Sequence, residues 1–410
     1  MPLRSLYVDF NSYFASVEQQ LNPKLRNKPV GVVPIMTDRT CCIAASYEAK
    51  KLGIKTGTPV SEAKRICPDI NLIEARHKVY IEYHHKLIEA IEACIHVDQI
   101  MSIDEAVCSL IGKEQNPLTA IGIANKIKEE ISKTVGEYIK CSIGIGPNRF
   151  LSKTATDMKK PDGLTVIEEK DLPGVLYSLK INDIVGVGRG MEIRLRKNGI
   201  YTVEQLCSAS KLKLHEIWGG IEGDRMYAQL RGEVVKRPPT HRTVVGHSHV
   251  LPPEQRRKEE AYAVLNRLLQ KAAMRIRYIG YAAGAISIGV KFFDSRKWRN
   301  EMSFSHTQNT LTLLESLKAM WKNYPEENLT PLAVGVTLYK LIEEGDNTPL
   351  FFEDYDKIKS LNTAIDKLNK KYGFASAYYA PSHTAIKSAP MRIAFTQIPD
   401  LDIEDDDKEF

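Results

Sequence analysis

Three carboxylates stand where apolar strands leave little room for charge. Asp9 closes the run SLYVD, residues 5–9, and Asp104 with Glu105 lies inside MSIDEAVCSL, residues 101–110. Burying one unpaired carboxylate is costly, and burying two together is worse. Either the pair sits at a solvated turn, or something positive binds there. Asp9, Asp104 and Glu105 are hard oxygen donors with no histidine or cysteine among them, a set that suits magnesium or manganese and not zinc. Two such ions can hold a triphosphate and activate a hydroxyl for in-line displacement. Successive strand residues face opposite ways, so Asp104 and Glu105 reach one site only if the backbone bends there. Asp104 is then the ligand expected to bridge both ions. A surface hairpin with a solvated charge pair is the other reading of SIDEA, and that stretch alone does not separate the two.

Other stretches could serve the same chemistry. SYEAKKLGIKTG, residues 46–57, places Tyr47 and Lys50 at i, i+3, on one helix face. SIGIGPNRFLSKTATDMKKPDG, residues 142–163, runs from a strand through a Gly-Pro turn into a helix carrying Lys153, Lys159 and Lys160. Lysines beside a carboxylate–metal centre suit phosphate charges. Gly186-Val187-Gly188 is no dinucleotide fingerprint, because no strand precedes it and no acid follows at the required distance. It reads as helix, tight hairpin, then a helix ended by Gly199. Glycines there let backbone N–H groups approach a phosphate without reading bases.

Charge points the same way. The net charge is +6, yet the last eleven residues, DLDIEDDDKEF, hold seven acids and one lysine. The body is therefore more basic than the total, as expected for a polyanionic partner. Residues 241–340 hold fifteen Lys/Arg against eight Asp/Glu. Within them Arg242, Lys291, Arg296, Lys297 and Arg299 are the candidate contacts to a polyanion such as a nucleic-acid backbone, sequence-neutral and salt-sensitive. His247 and His249 have no further ligands nearby, and alternation along a strand explains their spacing. The seven cysteines are scattered, with no C-x-x-C pair, and read as reduced. No stretch approaches the ~18 uncharged apolar residues of a membrane helix, so a cytoplasmic protein is expected, acting as a monomer.

The elements that must position these residues mix strands and helices without a regular βαβ rhythm, an α+β arrangement. Strands are expected at 5–9, twice within 30–46, as a hairpin over 97–110, and at 139–145. Helices are expected at 12–22, 45–52, 59–67, 77–94, 118–134 and from Asn148 to Met158. Residues 170–235 look all-helical. VVKRPPT, residues 234–240, is a linker, since paired prolines stiffen an extended chain. A second α+β region follows over 242–341, with helices at 258–278 and 308–323. One more helix, 353–371, and the acidic tail, expected to be disordered, complete the chain.

VDFNSYFASVE, SYEAKKLGIKTGTPVSEAKRICP, SIDEA and SIGIGPNRFLSKTATDMKKPDG occur in that order, followed by the VGVG hairpin and a C-terminal α+β module. Over about residues 5–345 the chain resembles the Y-family translesion DNA polymerases, in particular the DNA polymerase IV and UmuC-like branches. The resemblance implies a right-hand polymerase: a ferredoxin-like palm at 1–10 and 74–165, small fingers at 11–73 and a helix-hairpin-helix thumb at 166–236. A linker at 237–240, a little finger at 241–345 and a C-terminal extension from 346 complete it. It also implies a low-fidelity, template-directed polymerase acting on primer–template DNA and dNTP with two Mg2+ ions, Mn2+ being possible.

By the same resemblance Asp9, Asp104 and Glu105 match the catalytic carboxylates, and the Phe10 carbonyl a backbone metal ligand. Phe14 matches the steric gate under the deoxyribose. Tyr13, Tyr47, Lys50 and Lys160 join it as nucleotide-binding residues. Some positions depart from the pattern. Lys50 stands where arginine is usual, so a bidentate grip becomes a point charge. Ala44 replaces a frequent threonine, Arg149 a lysine and Asn11 an acid. Small residues in the fingers (Ala44, Ala45, Ser46, Gly57, Thr58) suggest a loose cover over the nascent pair. NTPLFFED, residues 347–354, resembles a bacterial clamp-binding peptide, with Leu350 and Phe351 entering an apolar pocket of the sliding clamp. Two alternatives remain: a DNA-binding accessory protein with a decayed polymerase fold, and another two-metal palm enzyme such as a nuclease or cyclase.

Overall fold

The computed structural model describes residues 2–236, 238, 241–325, 329–346, 355–373, 375–390, 392–393 and 398–399. The chain divides into two compact units, residues 1–237 with 393–398, and residues 238–392 with 399–410.

The first unit runs β1 (Ser5–Phe10), α1 (Tyr13–Leu21), β2 (Val30–Val33), β3 (Ala44–Ala45), α2 (Tyr47–Lys51), α3 (Val60–Ile66) and β4 (Asn71–Glu74). It continues with α4 (His77–Glu92), β5 (Gln99–Ser102), β6 (Glu105–Ser109), α5 (Pro117–Thr134), β7 (Cys141–Gly146), α6 (Arg149–Met158) and β8 (Leu164–Val166). Four helices follow among the described residues: α7 (Arg189–Lys197), α8 (Val203–Ser208), α9 (Lys211–Trp218) and α10 (Ile221–Leu230).

The main sheet has the order β5-β6-β1-β7-β8, with β1 antiparallel to both neighbours. All six residues of β1 are buried, which is why its sequence is nearly continuous oil rather than alternating. β7 carries a Gly-X-Gly pattern for a packing reason. A Cβ on Gly144 would stand 2.0 Å from the Ser152 carbonyl oxygen, so only glycine lets α6 lie directly against this strand. Asn148 caps that helix, its Oδ1 accepting the Leu151 N–H at 2.8 Å. A smaller sheet, β3-β2-β4, pairs β2 antiparallel with β3 and parallel with β4. β3 is only two residues long, and β4 was not legible as a strand. The α7–α10 helices close over Leu195, Leu206, Leu214 and Leu230, joined by Phe150 and Leu151 of α6. The region is α-helical from Arg189 onward; before the glycine hairpin it holds only short 3-10 turns, Glu169–Asp171, Gly174–Leu176 and Ile181–Asp183, instead of a full helix.

The second unit has the sheet order β11-β10-β12-β9, antiparallel throughout, from β9 (Val244–Val250), α11 (Lys258–Tyr278), β10 (Tyr281–Phe292), β11 (Lys297–Thr307), α12 (Thr310–Trp321) and β12 (Pro331–Glu343). Leu265, Leu268 and Ile276 of α11 and Leu313 and Leu317 of α12 pack with Ile286, Ile288, Val336 and Leu338 of the strands. Fully burying such a side chain contributes about 1.5–3 kcal/mol. α13 (Tyr355–Tyr372) belongs to this unit, and its Asp366 takes both Nε and Nη2 of Arg277 on α11 at 2.7 and 2.8 Å. The acidic tail lies outside the described residues.

Candidate active site

Asp9, the last residue but one of β1, lies opposite Glu105 on β6 and Ser142 on β7. The chain turns at Ile103 and Asp104 between β5 and β6, so Glu105 is the first residue of its strand and Asp104 belongs to the turn. That is the bend the two adjacent acids require. The turn is tied to the sheet from three sides. Phe10 N–H donates to the Asp104 carbonyl at 2.8 Å, and the Ser102 hydroxyl donates to Asp104 Oδ1 at 2.6 Å. His84, buried on α4, donates from Nδ1 to the Ile103 carbonyl at 2.8 Å.

The carboxylates do not face empty space. The Lys153 ammonium of α6 bonds Asp9 Oδ2 and lies 2.7 Å from Glu105 Oε1. The Lys160 ammonium bonds Asp9 Oδ1 and Asp157 Oδ1, both at 2.8 Å. Tyr7, two residues before Asp9 and therefore on the same strand face, donates from its hydroxyl to Glu105 Oε2 at 2.9 Å. Burial opposes the charge on both lysines, but the surrounding carboxylates, Asp9 first, outweigh it and hold both above the ordinary lysine value. Asp104 is raised above the usual carboxylate range, by burial first; the Asp9 and Glu105 charges add to this, and the Ser102 hydrogen bond opposes it.

Among the described residues no three Asp, Glu, His or Cys side chains stand as a ready-made metal cage. The donor chemistry nevertheless fits a hard divalent cation. The acidic side chains at the strand ends offer oxygen donors alone, and a cationic ammonium, that of Lys153, already stands between Asp9 and Glu105.

The nucleotide-side candidates gather at the β1–α1 turn. Ser12 adopts left-handed backbone, φ 51°, and its Oγ accepts the Lys50 ammonium at 2.8 Å. That ammonium also lies 4.6 Å from the centre of the Tyr47 ring, as the i, i+3 spacing requires. Desolvation, then the nearby Lys160 charge, lower Lys50 below its ordinary value. Phe14 is half-buried and stacks on Tyr80, ring centres 4.4 Å apart at 14°. Tyr80 is fixed in turn, donating to Glu18 Oε1 at 2.8 Å, while Arg76 grips the same carboxylate. Tyr13 is buried, its hydroxyl donates to the Tyr80 carbonyl at 2.6 Å, and its ring centre lies 5.7 Å from that of Phe14.

The sequence did not single out Tyr7, Ser102, His84, Tyr80 or Asp157, and it set Lys153 beside the carboxylate centre without its direct bonds to Asp9 and Glu105. The i−2 position of Tyr7 and the i, i+4 spacing of Lys153 and Asp157 were the available signals.

The remaining candidates lie elsewhere. Gly186 and Gly188 are exposed around buried Val187. Gly186 has φ +83°, and a Cβ on Gly188 would meet nothing within 4 Å, so its backbone is open to a ligand. In the second unit Lys291 and Lys297 face each other across β10 and β11, both exposed. Like charges directly opposite are destabilising unless an anion sits between them. Arg296 pairs with Asp294 at 2.7 Å. Arg299 donates to Ser287 Oγ at 3.0 Å and pairs with Glu301 at 2.6 Å. Arg242 is half-buried just before β9. Leu350 and Phe351 lie outside the described residues.

Residues 8–157 match the impB/mucB/samB family and residues 242–349 its C-terminal domain. The chain is 33% identical over 387 residues to a DNA polymerase IV of Moorella thermoacetica, covering 92% of this chain and 96% of that one. It is 30% identical over 389 residues to a DNA polymerase IV of Pelotomaculum thermopropionicum, covering 92% and 95%. A Y-family DNA polymerase chimera of Dbh and Dpo4 superposes with a TM-score of 0.72 at 25% identity, over 83% of this chain and 99% of that one. An insertion ternary complex of Dbh DNA polymerase gives 0.55 at 25% identity, over 83% and 99%. The chain belongs to the impB/mucB/samB family, the Y-family DNA polymerases of the DinB and UmuC type.

Proposed function

We propose that this protein is a template-directed DNA polymerase that extends primers across damaged template, with Asp9, Asp104 and Glu105 as its catalytic carboxylates. One observation carries the reading: Asp9 faces Glu105 across the β1–β6 pair, and the turn holding Asp104 is tied to β1 through the Phe10 N–H. Y-family polymerases are metal-dependent. Here Asp9, Asp104, Glu105 and the Phe10 carbonyl would hold two Mg2+ ions, which supply charge neutralisation at the triphosphate and a more acidic primer hydroxyl.

The chain's own groups do the rest. Tyr47, Lys50 and Lys160 bring cations and a hydroxyl to the triphosphate side of the β1–α1 turn. Phe14, braced by Tyr80, sets a wall against a 2′-hydroxyl. The palm, fingers and thumb correspond to residues 1–10 with 74–165, 11–73 and 166–236. The little finger, 241–345, holds the duplex through Arg242, Lys291, Arg296, Lys297 and Arg299, and the Gly186–Gly188 hairpin meets a phosphate through its backbone. The polymerase acts as a monomer, with Leu350 and Phe351 docking on a sliding clamp.

The test is primer extension with Mg2+ by the Asp104→Ala variant. Extension falls by roughly three orders of magnitude, while primer–template affinity in a binding assay stays within about twofold. A folded variant that extends at the normal rate removes Asp104 from the chemistry and with it the metal reading.

A further inference from the structure

A lysine ammonium between two carboxylates is itself a bound cation, and this one occupies the seat a metal needs. Lys153 touches Asp9 and Glu105 together. Lys160 reaches Asp9 and Asp157 but makes no ion pair with Glu105 among the described contacts, so the gap between the two strand-end acids belongs to Lys153. Its ammonium lies 5.4 Å from the centre of the Tyr7 ring, whose hydroxyl holds Glu105. A second carboxylate stands within reach: Asp157, one helical turn further on, has Oδ2 3.8 Å from the same ammonium. A small shift along α6 would therefore exchange one partner for the other without leaving the lysine charge unpaired.

We propose that Lys153 is a built-in counter-ion that holds Asp9 and Glu105 together before the divalent ion arrives, then yields its seat and moves to Asp157. The proposal rests on the reading of Asp9 and Glu105 as metal ligands. Its physical content is competition. A compact point charge on a flexible stem stabilises two adjacent carboxylates, and the divalent ion must displace it. The folded protein without metal is steadier for having Lys153, and its metal affinity is lower.

Mn2+ binding to the full-length protein without DNA, followed by electron paramagnetic resonance, tests this alongside thermal unfolding. Lys153→Met removes the competitor and keeps the stem. It lowers the metal-free unfolding midpoint, tightens Mn2+ binding by roughly tenfold, the scale of one charge-assisted hydrogen bond, and enlarges the midpoint gain on adding Mn2+. Lys153→Arg acts oppositely: a bidentate guanidinium grips the carboxylates harder, so Mn2+ binds more weakly than to the natural protein. Asp157→Asn removes the alternative partner and weakens Mn2+ binding several-fold. Should Lys153→Met not fold, the arginine and asparagine variants still decide. Folded variants that bind Mn2+ like the natural protein overturn the counter-ion role.

An Asp9→Asn control separates this from the underlying reading. If it abolishes Mn2+ binding while the Lys153 variants change nothing, the metal site stands and the counter-ion fails. If it leaves Mn2+ binding intact, the metal reading fails and takes this proposal with it.

Discussion

The strand ends of the first unit and one strand pair of the second hold their charges in opposite ways. At the β1–β6 strand ends every carboxylate has a partner: Asp9 has two lysines, Glu105 a lysine and a tyrosine, Asp104 a serine. At the β10–β11 end of the second unit Lys291 and Lys297 stand opposite each other and exposed. The first arrangement is partnered internally, yet its three carboxylates face only two ammoniums, and a further cation would have to compete with those lysines. The second is left repulsive and becomes comfortable only when a polyanion lies across it. A tightly partnered centre selects what binds by geometry. An unbalanced edge binds by charge alone, and salt weakens it.

That contrast breaks most visibly at Phe14. Phe14→Ala removes the ring that Tyr80 braces and leaves all the carboxylate pairs in place. Discrimination of deoxyribonucleotides against ribonucleotides falls by roughly a hundredfold or more, the scale at which a packed wall rejects a single added hydroxyl. DNA affinity and its salt dependence stay as they were. The comparison is single-nucleotide incorporation of paired dNTP and rNTP. Unchanged sugar selectivity removes Phe14 from the gate.

The reverse experiment is Lys291→Ser with Lys297→Ser. Each lysine that neutralises a phosphate contributes close to one unit to the slope of log affinity against log salt, so the pair lowers the slope by about two. Sugar discrimination is untouched. A slope unchanged in the double variant shows that this edge does not meet the phosphate backbone. Removing the mutual repulsion should also raise the unfolding midpoint slightly in the absence of DNA.

What the sequence made legible follows the same division. Asp9, Asp104 and Glu105 were visible because charge inside an apolar run is anomalous whatever the fold. Lys291, Arg296, Lys297 and Arg299 were visible because clustered cations survive any burial pattern. The face shared by Tyr47 and Lys50 followed from helical spacing alone. The braces were hidden. Tyr80 and Arg76 reach Glu18 across 62 and 58 residues, and His84 meets the Ile103 carbonyl 19 residues away, contacts that no local period encodes. Lys153 was placed beside the carboxylates, but its direct approach to Asp9, 144 residues away, depends on Gly144 letting α6 settle on β7, which no local pattern encodes. The glycine hairpin was legible from composition. The 3-10 turn before it was not, since three residues carry too little pattern to distinguish it from a full helix.

The smallest expected effect separates the units by their acid tolerance. Burial, followed by nearby cations, lowers two histidines of β9 to about 4: His247 beside Lys271 and Arg275, and His249 beside Arg392, Lys271 and Arg267. In the first unit burial lowers His84 in the same way, to about 4. A histidine held neutral in the folded state contributes stability that is present above its unfolded value of 6.5 and lost as pH falls through the folded value. Between pH 6.5 and about 4 each such group costs at most about 1.4 kcal/mol per pH unit. With two such histidines against one, the second unit loses stability more steeply across that window. Limited proteolysis along an acid series should therefore cut residues 241–346 at a higher pH than residues 2–236. Replacing His247 and His249 together with asparagine should bring the two closer. An unchanged gap between the two cutting pH values in that double variant would show that His247 and His249 do not set the acid sensitivity of the second unit, and the neutral-histidine argument would fall.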